Sequence, residues 1–302
     1  MNRFVNQAEL WDRYGLDYEF VLVEWNPPPD RPKLKDAIVW PEPIHGRVRI
    51  IEVSEEIHHS LPRSNRMQLY EFTGKNVGIR RAKGEFVLST NSDILLSSKL
   101  VSFLACRKLS HKCFYRTNRY DLDRAIPPQV ASVNEQLEFC EHHFTRVNLR
   151  GATIDFRNRH PNSKELNLEV LRYHINRIRR RRVGKIEDIL HTNASGDFML
   201  MSRESWNALR GHPETFISNS HLDAFMCSMA AGSGLRQVIL SGPMRAYHQY
   251  HRSLDDASDL EGYALYLLWE KEARRTLDRG KPIIYNDEKW GLMDADCKET
   301  HL

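Results

Sequence analysis

The stretch 75–93, KNVGIRRAKGEFVLSTNSD, concentrates residue types from which a polar site can be built. Asn76, Gly78, Ala82 and Gly84 punctuate its first half, which reads as a short helix and a glycine turn. Residues 85–90 (EFVLST) are rich in Val, Leu and Phe, too short for a helix and flanked by turn residues, so they read as a buried strand. That strand runs into Asn91-Ser92-Asp93. In open α/β sheets, ligands bind beyond the carboxyl ends of the strands. A carboxylate there, Asp93, is placed to hold a divalent cation that itself carries a phosphate. The competing reading is that Asp93 only opens the turn before the next helix, 97–109.

Elements able to position such a site recur along the chain. Strands are expected at 18–25 (YEFVLVEW, stopped by three prolines), 48–53 (VRIIEV), 114–119, 198–201 and 237–240. Helical spacing of apolar residues predicts helices over 2–14, with Gly15 as C-cap, and over 67–81, 99–108, 134–147, 219–229 and 260–277. Ser202 is placed to cap a helix whose third residue is Ser205, and Gly211 to end it. Residues 55–66 read as a polar loop broken by Pro62, 148–190 show no clear period, and the tail beyond Pro282 reads as loosely held. Strands alternating with helices argue for an α/β domain.

The chain has 302 residues, 41% of them hydrophobic, enough for one large α/β core or two smaller ones. A net charge of +4 is too small to argue for nucleic acid. No run approaches the ~18 apolar residues of a membrane span, and nothing near Met1 resembles a signal peptide. Five scattered cysteines without a C-x-x-C pair suit reduced thiols, which places the protein in the cytoplasm, with peripheral membrane association open. Residues 176–182 (NRIRRRR) concentrate five arginines. They are a solvated face, a clamp for an anionic acceptor or diphosphate, or a nucleic-acid contact; the nearby Glu165, Glu169, Glu187 and Asp188 break up any broad basic surface.

The pattern N-x-G-x-x-x-A-x-G-x-[FY]-[VIL] over 76–87, followed by a D-x-D-like triplet (here N-S-D), resembles the family 2 glycosyltransferases of the GT-A fold. The resemblance covers roughly 18–251. It implies an α/β, GT-A-like (nucleotide-diphospho-sugar transferase) single domain over 1–302, with a mostly parallel sheet and helices on both faces. A nucleotide-binding half would span about 1–110, an acceptor and catalytic half about 111–255, and a C-terminal helix and tail 256–302. Members of the family begin with a hydrophobic strand ahead of the first helix. This chain opens at the helix, which implies either a truncated start or a reduced nucleotide pocket.

The resemblance also implies roles. Glu24, ending the first visible strand, would contact ribose or base, and Lys75 and Asn76 would face the diphosphate. Asn91 and Asp93 occupy the triplet, with Asp93 the ligand of Mn²⁺ or Mg²⁺. The segment 191–214 (HTNASGDFMLMSRESWNALRGHPE) matches a second family block, in which Gly196 admits the sugar close to the backbone and Asp197 meets its hydroxyls. Asp223 falls where inverting members keep their catalytic base, and a carboxylate within reach of an acceptor hydroxyl can take its proton. His248 would complete the metal site, with His251 three residues on as a substitute or phosphate ligand. The implied reaction is sugar transfer from a nucleotide-diphosphate sugar to a glycan, lipid-linked or small-molecule acceptor. Two alternatives stay open: a non-catalytic nucleotide-sugar or glycan-binding protein, and a sugar nucleotidyltransferase.

Overall fold

The computed structural model describes residues 2–157, 159–180, 186–251 and 260–302. The amphipathic opening folds as two short helices, α1 (Asn2–Val5) and α2 (Ala8–Arg13), instead of one. The break lets the buried Gln7 amide donate to Phe4 O and Ile94 O and accept from Leu96 N. β1 (Phe20–Trp25) and β2 (Val48–Val53) pair in parallel across a connection containing α3 (Leu34–Ala37). The polar segment after β2 is not all loop. Its first residues form α4 (Glu55–Ser60), because Ser54 Oγ accepts from Ile57 N and caps it.

α5 (Glu71–Arg81) lies on β1. Its glycines 74 and 78, one turn apart, face Trp25 and Val23, and a Cβ at either would meet those side chains at 3.4 Å. β3 (Phe86–Thr90) leads through the Asn91-Ser92-Asp93 turn into β4 (Ile94–Leu96), and α6 (Ser98–Ala105) follows, capped by Ser97. β5 (Cys113–Leu122) is the longest buried strand and lies at the centre of the larger sheet.

The predicted helix over 134–147 divides. α7 (Val133–His143), opened by a Ser132/Glu135 capping box, stops at His143, and β6 (Phe144–Leu149) takes the remainder. β6 turns back through Arg150-Gly151 into β7 (Ala152–Asp155). Gly151 has φ +67°, and a Cβ there would sit 2.9 Å from Glu187 O, so the turn requires glycine. α8 (Ser163–Arg180) and α9 (Ile186–Ile189) follow; of the arginine run, residues 181–182 lie outside the described residues.

β8 (Phe198–Ser202) leads into α10 (Arg203–Leu209), where Ser202 Oγ accepts from Ser205 N at 3.1 Å as the spacing predicts. α11 (Leu222–Gly232), β9 (Arg236–His248), α12 (Leu260–Arg279) and β10 (Lys298–His301) complete the chain. β9 is far longer than the expected 237–240. Gly242-Pro243 bulges out between Leu240 and Arg245, Thr117 Oγ1 bridges Leu240 O and Met244 O, and pairing then resumes. The tail is not loose either: β10 pairs with β2, and Trp290 is buried.

The expected mostly parallel sheet is corrected. A three-stranded sheet runs β1-β2-β10 and a seven-stranded one contains β3-β8-β5-β6-β7 with β9 on β5 and β4 on β9. Among the described residues only β1–β2 and β5–β9 are parallel, and every other pair is antiparallel. Parallel neighbours require crossovers, whereas the short β6–β7 turn, and returning strands such as β8 beside β3, give antiparallel ladders. The architecture is therefore mixed α/β. One apolar cluster draws residues from both sheets, including Phe20, Ile50, Leu95 and Tyr247. No helix among the described residues is long and apolar enough to cross a membrane.

Candidate functional site

Strand register assembles the site. β9 lies between β4 and β5, with His248 opposite Ile94 on one side and Asp121 on the other. Gln249 N donates to Asp93 O and extends the ladder to the end of the N-S-D turn. Asp93, from the turn, therefore meets His248, from the end of β9. His248 Nε2 and His251 Nε2 each lie 3.1 Å from Asp93 Oδ2 and 3.3 Å from each other. These three atoms form the one candidate metal-ligand group found among the described residues.

The donor set fits a cation. Bonds of about 2.1 Å to one ion separate neighbouring ligand atoms by roughly 3.0 Å in octahedral and 3.4 Å in tetrahedral geometry. The observed triangle spans that range. Asp93 Oδ1 is buried with no hydrogen-bond partner, an expensive state for an ionised carboxylate unless a cation compensates it. Two imidazoles and one carboxylate favour a transition-metal ion, Mn²⁺ among them, over Mg²⁺, which prefers oxygen throughout.

Asp121 stands behind this triangle. Its Oδ1 lies 3.3 Å from His248 Nδ1, and its Oδ2 accepts from Asn148 Nδ2 at 2.8 Å. A carboxylate on the far nitrogen of a ligating histidine fixes its ring and tautomer. Burial works against the charged imidazole, but its ion pairs with Asp121 and Asp93 outweigh it and raise His248 to about 9. The same pairing overcomes burial at both carboxyls and holds them below the usual range.

Arg119 joins this half of the site to the segment 191–214. It lies 2.8 Å from Asp121 Oδ1, not aligned for a hydrogen bond, and donates to Asp197 Oδ2 at 2.6 Å. Asn91 Nδ2 donates to Asp197 Oδ1 at 2.8 Å, and Thr90 Oγ1 to Asp197 O. Asp197 is 5% exposed, so its carboxylate ties the triplet to β8 and is largely spent within the protein.

Gly196 is clamped at both ends. Its N–H donates to Asp223 Oδ2 at 2.7 Å, and its carbonyl accepts from Lys75 Nζ at 2.8 Å. A Cβ on Gly196 would lie 3.3 Å from Lys75 Nζ and 3.5 Å from Asp223 Oδ2. Lys75 also pairs with Glu71 and lies over the Phe72 ring. Asp223, in the first turn of α11, takes a further hydrogen bond from Ala224 N, which fixes its carboxylate while leaving it half-exposed.

The loop presenting Gly196 is held by an arginine that sequence reading passed over. Arg116, fully buried on β5, donates to the carbonyls of His191, Asn193 and Ser195. Burial lowers its pKa, yet a guanidinium stays charged. The clamp holds Ala194 at φ +53°, a left-handed conformation costing about 1–2 kcal/mol outside glycine.

The predicted residues thus separate. Asp93, His248 and His251 converge. Asn91 and Asp197 bond each other, and Lys75, Gly196 and Asp223 form a second contiguous group. Asn76 is not at the site: it is fully buried, and its amide serves His212 N, His212 O and Glu214 Oε1. Glu24 lies on the smaller sheet, and its Oε1 accepts from Leu34 N at the start of α3. Asp121, Arg116 and Arg119 were missed. Arg119 and Asp121 share a face of β5 by their i, i+2 spacing, which is a weak signal, and Asp121 acquires meaning only opposite His248. A scan against models of protein families found no match to the chain, and a search of curated proteins found none either.

Proposed function

We propose that the protein is a metal-dependent glycosyltransferase that moves a sugar from a nucleotide-diphosphate donor to an acceptor hydroxyl. The observation that carries this reading is the Asp93/His248/His251 triangle at the carboxyl end of β3, backed by Asp121. A bound Mn²⁺ would offset negative charge on a leaving diphosphate. The chain's own residues supply the rest. Asp121 keeps the His248 ring turned so that Nε2 faces Asp93. Lys75 and Asp223 fix the Gly196 peptide, and a Cβ there would meet both of them. Asp223, oriented by two backbone N–H groups, retains lone pairs that can take the proton of an attacking hydroxyl. Such a single displacement inverts the anomeric centre.

A second reading, a non-catalytic nucleotide-sugar or glycan binder, is favoured by two observations. Asp197 is engaged on both oxygens, and Asn76 is buried away from any diphosphate. Single replacements Asp93→Asn and His251→Gln, followed by Mn²⁺ binding and donor turnover, separate the two. Loss of both properties in each variant supports transfer. Turnover that persists without Mn²⁺ binding contradicts it.

A further inference from the structure

We infer that the cleft between the β6–β7 hairpin and α8 binds a glycan carrying a carboxylate or phosphate. The word acceptor for that glycan rests on the transfer reading above; the anion site does not. The cleft has a volume of about 550 Å³, within the range of roughly 300–1,000 Å³ typical of small-molecule sites. Arg150, Arg157, Arg159, Arg172 and Arg177 line it, against three acids, Asp155, Glu169 and Asp188. Two of the arginines are already matched, Arg159 by Glu165 and Arg172 by Glu169.

The others are not. Arg157 and Arg177 have no acidic partner among the described residues. The Nε atoms of Arg150 and Arg177 are buried and make no hydrogen bond. Both residues line the same cleft, where Arg150 Nη1 donates to Ile189 O. A planar guanidinium matches a carboxylate or phosphate two-pronged, so an anion in the cleft would be held by Arg157 and Arg177. Asn176, Asp155 and Asp188 on the same walls offer the mixed donors and acceptors that sugar hydroxyls need.

The cleft is wired to the candidate metal site. Thr153, on its wall, donates to Asn148 Oδ1 at 2.9 Å, and Asn148 Nδ2 donates to Asp121 Oδ2 at 2.8 Å. Asp121 in turn faces His248. Asn193, on the loop leading to Gly196, donates to Thr153 Oγ1 from the other side. A glycan anchored here by its charge would therefore lie against the elements that hold Gly196 and Asp121. Single-stranded nucleic acid fits less well. It calls for exposed aromatic platforms, and the two aromatics here are committed: Phe156 is buried, and the Tyr173 hydroxyl donates to Arg150 O.

The test is calorimetric titration of the metal-free protein, in EDTA and low salt, with three disaccharides. One ends in a uronic acid, one carries a phosphate, and one is neutral. At least one anionic disaccharide should bind tenfold or more tightly than the neutral one, and which of the two does so names the anion. The double variant Arg157→Gln/Arg177→Gln should weaken that binding at least tenfold, with its thermal midpoint checked against the parent. Equal affinity for charged and neutral sugars overturns the inference, as does an unchanged affinity in a folded double variant. Binding of a single-stranded oligonucleotide, lost in the variant while no disaccharide binds, also overturns it and assigns the cleft to nucleic acid. Donor turnover by the parent is measured separately: if it is absent while the anion binds, the transfer reading fails and the anion site stands.

Discussion

Metal affinity should depend steeply on pH through one residue. His248 is raised to about 9 by Asp121 and Asp93, so at neutral pH the metal-free site holds an imidazolium between two carboxylates. A ligating histidine must be neutral, so binding a cation expels that proton. Below the His248 pKa, apparent affinity therefore falls about tenfold for each pH unit. Between pH 6.5 and 8.5 the affinity for Mn²⁺ should rise roughly 75-fold, with about one proton released per ion at neutral pH. Titrations in two buffers of different ionisation enthalpy measure both quantities. Asp121→Asn removes one of the two carboxylates that raise His248, so the pH dependence should flatten and shift to lower pH. An affinity for Mn²⁺ that changes less than about fivefold over this range would refute the reasoning. So would an Asp121→Asn variant as steep as the parent.

Other outcomes follow from the same contacts. A pKa raised from 6.5 to about 9 stabilises the metal-free fold below pH 6.5, and that contribution is lost as pH rises through 9. In EDTA, stability to urea should thus fall by at most about 3 kcal/mol between those limits, and Mn²⁺ should restore it. Arg116→Met leaves Asn193 O and Ser195 O without their buried donor, whereas His191 O keeps Gln237 Nε2. At about 1–3 kcal/mol for each of these two orphaned carbonyls, urea unfolding should show a loss of roughly 2–6 kcal/mol. Gly196→Ala meets its nearest neighbours at 3.3 and 3.5 Å, so the fold should survive while donor turnover drops at least tenfold as measured by kcat/KM.

Local chemistry made some of this legible from sequence. The N-x-G spacing, the EFVLST strand and the Ser202 cap act within a few residues, and each is found in place. What escaped depends on partners far along the chain. β10 (KETH) has no apolar alternation and is a strand only because β2 offers it an edge. Pro243 reads as a stop, yet β9 resumes beyond it because β4 and β5 flank it. Strand direction was misjudged for the same reason: a buried apolar run looks alike in parallel and antiparallel ladders. In the site, Asp93 and His248 stood out by type and order. Asp121 did not, since its role comes from a register that joins the carboxyl ends of two parallel strands far apart in sequence.

The central claim is metal-dependent transfer from a nucleotide-diphosphate sugar. Its most direct test is release of nucleotide diphosphate from a panel of UDP-, GDP- and dTDP-sugars, with Mn²⁺ and with chelator, in the presence of neutral and anionic acceptors. The account predicts release from one donor class that chelator abolishes, Mn²⁺ restores and Asp93→Ala eliminates. Release undiminished by chelator or by Asp93→Ala, or no release from any donor with either kind of acceptor, would contradict it.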